Sequence, residues 1–333
     1  MTIYFAEWNA DYEKYMVNTL KSEYDVVLFN KLMKHFRNIN LKLDRNNLPR
    51  HWFIKFHQFI KLRQLKYDDI LLCSGFGVSG FIDLIKDVKC HRVLVLRDTI
   101  DVLNDSMKNK KKWLQQNEDY ISKITPYFDK IYSFDFNDCK KYKFIYLNQF
   151  LPFTYSEMKK LRAEQDNKSN IIKTCFFIGE YWDDRAKVLN RIAPILHENG
   201  YQTDFNLINY KATNTESLFH SSDYYKLGNK ISYLDNIEKV KHSDVILEIG
   251  QIGQTGVTLR AIEAVLLNKR LITTNKSIKE YDFYSPEQIF ILDENNHHQI
   301  KKFLECPFVP ISLHKLYKYS SNAMLETITD AFD

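Results

Sequence analysis

The alternation of short apolar runs with longer amphipathic segments constrains the fold of this chain most strongly. Each apolar run has the length of a buried strand, and most are separated by segments with apolar residues at helical spacing. Strands that alternate with helices predict βαβ units and parallel sheets. The predicted strands are TIYFA, DVVLFN, DILLCSG, RVLVLRD, DKIYSFD and KFIYLNQF, followed by NIIKTCFFIGE, QTDFNLINY, DVILEIG, RLITTN and QIFIL.

A charged segment, YSEMKKLRAEQDNKSN, divides this pattern into two halves. The strand–helix alternation restarts at residue 170, and 333 residues are long for a single core. We therefore expect an α/β protein with two doubly wound, Rossmann-like domains that face a cleft. The expected domains are residues 1–160 and 170–333, joined near residue 165, and the second ends in a terminal helix.

Composition favours a globular protein with reduced thiols. The chain is 44% hydrophobic and 27% charged, and its net charge of +5 permits attraction to phosphates or to an anionic bilayer. Its five cysteines are scattered without a C-x-x-C pair, which predicts a cytoplasmic location. No Cys/His group has metal-ligand spacing, no window approaches the roughly 20 apolar residues of a membrane span, and the first residues lack a signal-peptide pattern.

The segment HWFIKFHQFIKLRQLK mixes aromatic and basic residues at helical spacing. One interpretation is an interfacial helix that lies on a membrane surface. The simpler interpretation is a core helix whose lysines point to solvent. Any membrane contact is therefore expected from this segment and to be peripheral.

A glycine pattern in the first half has the spacing of a dinucleotide fingerprint. Gly75, Gly77 and Gly80 stand between a predicted strand and a predicted helix, and Asp98 ends the next strand about 20 residues on. However, Arg97 precedes this aspartate, and the glycines do not follow the first strand of the chain. The alternative is a turn of small residues. An NAD(P)-dependent oxidoreductase is accordingly the most distant of the functional hypotheses.

A second glycine cluster opens a helix in the second half. Gly250, Gly253 and Gly256 take three of the nine glycines in the chain. Glycine lets main-chain N–H groups approach a ligand, and the first turn of a helix attracts a diphosphate. Arg260 can donate to phosphate oxygens, and Glu263, in an otherwise apolar row, can accept from a ribose diol. Alternatively, these two residues pair with each other on a solvated helix face.

The same stretch resembles a known family. The C-terminal half is similar to the nucleotide-sugar domain of GT-B glycosyltransferases. Within it, residues 235–292 most closely resemble bacterial lipopolysaccharide and capsule biosynthesis proteins, which show G-Q-x-G-x-T-x-R-x-x-E-A, K-x-L-I-T-x-N and I-x-x-Y-D-F. The matching residues are Gln254, Gly256, Thr258, Arg260, Glu263, Ala264, Lys269, Leu271, Ile272, Thr273, Asn275, Ile278, Tyr281, Asp282 and Phe283.

The resemblance implies a metal-independent transferase that moves a sugar from a nucleotide-activated donor to lipopolysaccharide or capsule. It implies no cofactor beyond the nucleotide-sugar substrate, a glycan or lipid-linked acceptor, contact with the cytoplasmic face of the inner membrane, and no nucleic acid. Thr255 stands where many retaining relatives carry a first glutamate, so the resemblance assigns no stereochemical outcome. The implied donor contacts are Gly179, Arg185, Gln254, Gly256, Thr258, Arg260 and Glu263.

Two of the candidate residues have structural alternatives. Arg185 either reaches the donor phosphates or pairs with Asp183 and Asp184 on the surface. Asp98 is the candidate catalytic base because it ends a predicted strand, where α/β sheets bind ligands. It can equally cap the helix that begins near Ile100. A non-catalytic nucleotide- or glycan-binding protein on the same scaffold is therefore the second functional hypothesis.

Overall fold

Two compact units make up the chain: Met1–Thr154 together with Met324–Asp333, and Tyr155–Ala323. Each unit contains a six-stranded sheet in which all paired strands are parallel. The predicted α/β class with two doubly wound sheets is confirmed. The computed structural model describes residues 1–31, 33–75, 81–110, 120–166, 172–208, 222–251 and 253–332.

The sheet of the first unit has the strand order β2-β1-β3-β4-β5-β6. Its strands are β1 (Ile3–Ala6), β2 (Val26–Leu28), β3 (Ile70–Ser74), β4 (His91–Leu96), β5 (Lys130–Ser133) and β6 (Ile145–Tyr146). Its helices are α1 (Asp11–Leu20), α2 (Met33–Arg45), α3 (His51–His57), α4 (Ile82–Ile85), α5 (Ile100–Lys110), α6 (Tyr120–Ile124) and α7 (Phe136–Tyr142). The strand order reverses between β1 and β3.

Both faces of this sheet are buried, as expected for parallel strands covered by helices. Successive side chains of a strand point to opposite faces. Tyr4 and Ala6 of β1 therefore join one core, whereas Ile3 and Phe5 join the other. This burial on both sides explains why the strands are continuous apolar runs.

The second unit has the strand order β12-β11-β10-β7-β8-β9, that of a dinucleotide-binding Rossmann sheet. Its strands are β7 (Thr174–Glu180), β8 (Gln202–Ile208), β9 (Lys226–Gly228), β10 (Val245–Glu248), β11 (Arg270–Thr273) and β12 (Ile289–Ile291). Its helices are α8 (Tyr155–Asp166), α9 (Asp183–Glu198), α10 (Tyr233–Lys241), α11 (Leu259–Leu266) and α12 (Ile300–Glu305). The short, exposed edge strand β9 was not predicted because KLG carries no apolar run.

The predicted terminal helix is two elements, a 3-10 segment (Leu313–Tyr319) and α13 (Ser321–Thr329). Met324, Leu325 and Ile328 of α13 belong to the core that contains Ile3 and Phe5. The expectation placed this helix with the second domain, whereas in the structure its apolar residues complete the first unit. Helical spacing shows that a helix forms but not which sheet it covers.

The segment predicted as a linker begins as helix α8, while residues 167–171 lie outside the described residues. Arg162 of α8 is buried, and its guanidinium donates to the main-chain carbonyls of Val265 (2.8 Å), Leu266 and Ile311 (3.2 Å). The charged composition of this segment suggested a linker, but the segment forms a helix whose Arg162 donates hydrogen bonds to carbonyls at the C-terminus of α11.

All five cysteines are free thiols. Among the described residues, none of the helices combines the length and the apolar character needed to cross a bilayer.

Candidate functional site

The strand order of the second unit places a crevice at the carboxyl ends of β7 and β10. These two strands are neighbours, but the helices that follow them run to opposite sides because the order reverses here. Open α/β sheets bind their ligands at this position. Residues that follow β7 and β10 are therefore the first candidates for ligand contact.

Arg185, in the first turn of α9, spans this reversal point. Its Nη1 donates to the carbonyl of Glu180 at the end of β7 (3.0 Å), and its Nε donates to the carbonyl of Ile249 after β10 (3.2 Å). The guanidinium also lies over the ring of Trp182, with 3.8 Å between its carbon and the ring centroid. Its Nη2 bonds no described residue, which leaves the two N–H groups of this nitrogen for a ligand.

Burial lowers the pKa of Arg185 to about 10, and the charges of Glu180 and Glu248 act in the opposite direction. The guanidinium thus stays protonated at neutral pH. Gly179 makes room for it, because a Cβ there would lie 3.2 Å from Nη1 of Arg185 and 3.0 Å from the ring of Phe177. The two predicted residues Gly179 and Arg185 are therefore neighbours.

The alternative expectation, a surface pair between Arg185 and the adjacent aspartates, does not occur. Asp183 accepts a hydrogen bond from the hydroxyl of Tyr181 (3.1 Å), and Asp184 pairs with Lys187 (3.1 Å). The two aspartates are exposed, whereas Arg185 turns toward the strand ends. The sequence does not distinguish these outcomes, because both place an arginine in the first turn of a helix.

The glycine loop has a defined shape. Gly253 has φ +83, a conformation that favours glycine. The side-chain amide of Gln254 donates to the carbonyl of Gly256 (2.9 Å), and the amide of Asn275 donates to the same carbonyl (3.2 Å). Gly256 is buried, and Ile252 lies outside the described residues. The loop is therefore held by its own glutamine and by an asparagine that follows β11.

Two further hydrogen bonds tie the loop to the segment after β11. The N–H of Gly250 donates to the hydroxyl of Thr274 (3.0 Å), and the N–H of Val257 donates to the hydroxyl of Tyr281 (3.2 Å). Asn275 and Tyr281 belong to the motifs K-x-L-I-T-x-N and I-x-x-Y-D-F. The structure therefore gives these motif residues a supporting position around the loop.

Helix α11 begins at Leu259, immediately after the loop. Thr258 is its N-cap, and its hydroxyl accepts from the N–H of Ala261 (3.4 Å) and donates to Glu248. The other carboxylate oxygen of Glu248 accepts from Thr273 (2.6 Å). The first-turn N–H groups of a helix have no intrahelical acceptor, so the start of α11 presents donors at the end of β10.

Sequence analysis did not identify Glu248 as part of the site. Glu248 is the last residue of β10 and is buried, with both oxygens hydrogen-bonded to threonines. The sequence could have indicated this residue, because a carboxylate at the end of an apolar strand lies at the ligand-binding edge of the sheet. It fixes the N-terminus of α11 against β10 and β11.

Arg260 and Glu263 do form an ion pair, with 2.8 Å between Nη1 and Oε2, but not on a solvated face. The side chain of Glu263 is 1% exposed and that of Arg260 is 18% exposed. Asn236 of α10 bonds both residues: its Oδ1 accepts from Arg260 (2.7 Å) and its Nδ2 donates to Glu263 (3.4 Å). All these contacts use Oε2, and Oε1 of Glu263 accepts from no described residue.

A second candidate site lies in the first unit, in a cavity of about 290 Å³ at the carboxyl ends of β1, β3 and β4. Burial raises the pKa of Asp98 to about 6; Arg97 opposes this shift and Glu13 adds to it. The Asp98 carboxylate forms no hydrogen bond or ion pair with a described residue. The cavity is lined by Glu7, Asn9, Ala10, Tyr12, Glu13, Arg37, Ser74, Gly75, Arg97, Asp98 and Leu103.

Two more carboxylates and two arginines line this cavity together with Asp98, and the sequence assigned none of these four residues to a site. Burial raises the pKa of both Glu7 and Glu13. Glu7 is paired with Arg37, and Glu13 accepts from the N–H of Ala10 (2.9 Å). Arg97 donates to residues of the segment after β6. Among the described residues, no group of three or more His, Cys, Asp or Glu is arranged to hold a metal ion.

The alternative role of Asp98, capping helix α5, belongs to another residue. The N–H of Ile100 donates to the carboxylate of Asp138 at 2.9 Å. Asp138 is in the first turn of α7, which Asp135 caps. Asp98 is therefore left with its side chain in the cavity and no capping bond.

The dinucleotide-like pattern is only partly described. At Gly75 a Cβ would lie 3.0 Å from Leu96 and 3.3 Å from Leu103. This glycine therefore allows the end of β3 to pack closely against neighbouring apolar side chains. Gly77 and Gly80 lie outside the described residues.

The two parallel, doubly wound sheets define a class of α/β proteins with two Rossmann-like units. No family model and no curated protein matches the chain. Several solved structures match along nearly its whole length, and glycosyltransferases are among them. The chain has the GT-B fold.

Three structures illustrate this likeness. An α-glucosyltransferase in complex with UDP and a 13-mer DNA aligns with a TM-score of 0.62 and 10% identity over 99% of this chain and 98% of its own. A sucrose-phosphate synthase from Thermosynechococcus elongatus aligns with a TM-score of 0.60 and 8% identity over 100% of this chain and 98% of its own. An α,α-trehalose-phosphate synthase (UDP-forming) from Burkholderia vietnamiensis aligns with a TM-score of 0.54 and 11% identity over 99% of this chain and 98% of its own. Identities this low show the fold alone.

Proposed function

We propose that the protein is a glycosyltransferase that moves a sugar from a nucleotide-activated donor to an acceptor hydroxyl. The observation that carries this proposal is Arg185, a protonated guanidinium that spans the reversal point and keeps Nη2 for a ligand. The buried Gly256 and the N-terminus of α11 lie in the segment that follows β10, at the same edge of the sheet. Together they provide donors suited to a diphosphate. Two of the similar structures name UDP, as a bound ligand or as a product.

The donor contacts divide into two groups. Gly179 and Arg185 would bind the diphosphate together with the loop around Gly256, while Gln254 and Thr258 hold that loop and the helix start in place. Oε1 of Glu263 would accept a ribose hydroxyl, and Arg260 would fix this carboxylate through Oε2. The nucleotide-sugar is a substrate, and we propose no metal or other cofactor.

Asp98 would act as the catalytic base. A carboxylate with a pKa of about 6 is ionised at neutral pH and has more affinity for a proton than an ordinary aspartate. In the transfer, the acceptor oxygen forms a bond to the anomeric carbon while its hydroxyl proton passes to Asp98. The bond from that carbon to the diphosphate breaks, and its electron pair leaves with the nucleoside diphosphate. Arg185 would stabilise the charge that develops on this leaving group.

The acceptor would be a bacterial surface glycan or its lipid-linked precursor, assembled at the cytoplasmic face of the inner membrane. Support comes from the resemblance of residues 235–292 to lipopolysaccharide and capsule biosynthesis proteins, and from five unpaired thiols, which suit a reducing compartment. No nucleic acid is proposed as a partner.

Calorimetric titration with UDP, other nucleoside diphosphates and NAD(P) tests the donor site. Arg185→Ala should weaken binding of the preferred diphosphate about tenfold to a hundredfold, since a charge-assisted hydrogen bond contributes about 1.5–3 kcal/mol. Lys187→Ala, which removes an exposed charge from the same helix, is the matched control and should leave affinity unchanged. Binding of NAD(P) but of no nucleoside diphosphate would overturn the proposal.

Catalysis is tested separately by release of UDP from a UDP-sugar with lipid-linked acceptor preparations. Asp98→Asn should abolish transfer while diphosphate affinity is retained. Nucleotide binding by the unaltered protein without any transfer or donor hydrolysis would instead indicate a non-catalytic binding protein.

A further inference from the structure

Helix α3 and the π-helical turn that follows it, Gln58–Leu62, have two apolar sides. One side packs into the first unit through Phe53, His57 and Leu62, which are buried. The other side is in solvent, and it carries large apolar side chains. These are Trp52 (56% exposed), Phe56 (51%), Phe59 (66%) and Ile60 (43%).

The backbone geometry explains how both sides are apolar. Trp52, Phe56 and Phe59 are spaced by four and three residues and share one helix face. A π-helical turn contains an additional residue, so Ile60 joins this outer face while Leu62 returns to the core. The simpler interpretation, a core helix whose lysines point to solvent, is therefore right about the buried side. It does not account for the large apolar side chains on the exposed side.

The charges around this outer face have one sign. Residues 45–67 contain no aspartate or glutamate and six basic residues. Arg50 is neutralised by Asp44 and Asp83. In contrast, Lys55, Arg63 and Lys66 are exposed and form no ion pair with a described residue. The basic residues are Arg45, Arg50, Lys55, Lys61, Arg63 and Lys66.

The cations are interleaved with the aromatic rings. The guanidinium of Arg63 lies 5.5 Å from the ring centroid of Phe59. Burial lowers the pKa of Lys61, and the charge of the nearby Lys31 lowers it further. Aromatic rings suit the headgroup level of a bilayer, and lysine and arginine bind its phosphates.

We infer that this face, Trp52 to Lys66, docks the protein on an anionic lipid bilayer. The charge pattern favours lipid over a second copy of the chain, because two identical basic faces would repel each other. The amphipathic pattern favours a bilayer over a soluble anion, since a free phosphate would not use four exposed apolar side chains. The inference does not depend on the proposed transferase activity.

Flotation with vesicles tests this inference on the full chain without any substrate. Vesicles of phosphatidylcholine and phosphatidylglycerol in equal parts should bind the protein, and vesicles of phosphatidylcholine alone should bind it much more weakly. Lys55→Gln should weaken binding about fivefold, from about 1 kcal/mol per basic residue at an anionic surface. Phe59→Ser should weaken it about tenfold or more, because it removes an exposed aromatic ring that the bilayer would bury.

The matched controls are Lys187→Gln and Val309→Ser, which change an exposed lysine and an exposed apolar side chain of the second unit. Both should bind as the unaltered protein does. Trp52 provides a second readout, because brominated acyl chains should quench its fluorescence, and Trp52→Phe should remove that quenching but retain binding. Two results would overturn the inference: equal binding to both vesicle types, or lipid-independent self-association that Phe59→Ser abolishes.

Discussion

Glutamine in place of Glu263 separates a structural from a ligand-binding role for the ion pair in α11. The substitution keeps size and shape and removes the charge that Arg260 contacts at 2.8 Å. Removing one partner of a fully buried pair typically costs about 3–5 kcal/mol, because the other charge is left without compensation. Arg260 is not fully buried, however, and it retains Oδ1 of Asn236 at 2.7 Å as an acceptor. We therefore expect a smaller loss of about 1–2 kcal/mol in the free energy of unfolding.

Urea denaturation of the unliganded protein measures this loss in the free energy of unfolding. Titrations with UDP and with pyrophosphate measure the affinity for each ligand. Because pyrophosphate has no ribose, a ribose contact through Oε1 predicts that Glu263→Gln weakens UDP binding and leaves pyrophosphate binding unchanged. The double-mutant cycle with Arg260→Met isolates the coupling between the two side chains. A change in unfolding free energy below about 0.5 kcal/mol would refute the assigned strength of the pair. Equal loss of both ligands would refute the ribose contact.

Three further perturbations follow from the described contacts. Because Asp98 must be ionised to act as a base, the rate of transfer should rise with pH through its pKa of about 6. A raised pKa also means that ionisation of Asp98 opposes folding. Asp98→Asn should therefore raise the melting temperature at neutral pH, but not at a pH below 3.8, the ordinary pKa of an aspartate. Burial, and to a smaller extent the charge of Lys61, lowers the pKa of His57 to about 4. The free energy of unfolding should therefore fall by up to about 3 kcal/mol as the pH drops from 6.5 to 4. Thermal melts of His57→Phe should lack this pH dependence. Arg162→Met removes the donors to three main-chain carbonyls and should lower the free energy of unfolding in urea by about 3 kcal/mol, whereas Lys159→Met on the same helix should have little effect.

Local pattern was sufficient to predict every strand of the second unit except the edge strand β9, and it also indicated the helix that follows β7. Ala186, Leu189, Ile192 and Leu196 of α9 recur at helical spacing and are buried, and Gly200 after the helix has φ +81, as expected of a helix stop signal. These features depend on residues close together in sequence. Their prediction therefore needed no knowledge of which elements meet in space.

The roles of individual polar residues depended on distant partners and could not be predicted. Asp138 rather than Asp98 caps α5, across 38 positions, and Arg162 reaches Leu266 across 104. Gln254 and Gly256 were singled out as donor contacts, and the structure places both in the loop before α11; Asn275, which supports this loop, was recognised only as part of a motif. A sequence shows which side chains can donate or accept, whereas the fold decides which of them meet.

The placement of α13 has a consequence for synthesis of the protein on the ribosome. The core around Ile3 and Phe5 includes Met324, Leu325 and Ile328, which are translated after every strand of the second unit. Until those residues emerge, one face of the first sheet lacks part of its cover and exposes apolar side chains, a state prone to misassembly. The second unit, translated later, can thus complete its core before the first. The first sheet, whose last strand ends at Tyr146, therefore stays partly uncovered until Met324, Leu325 and Ile328 have been made.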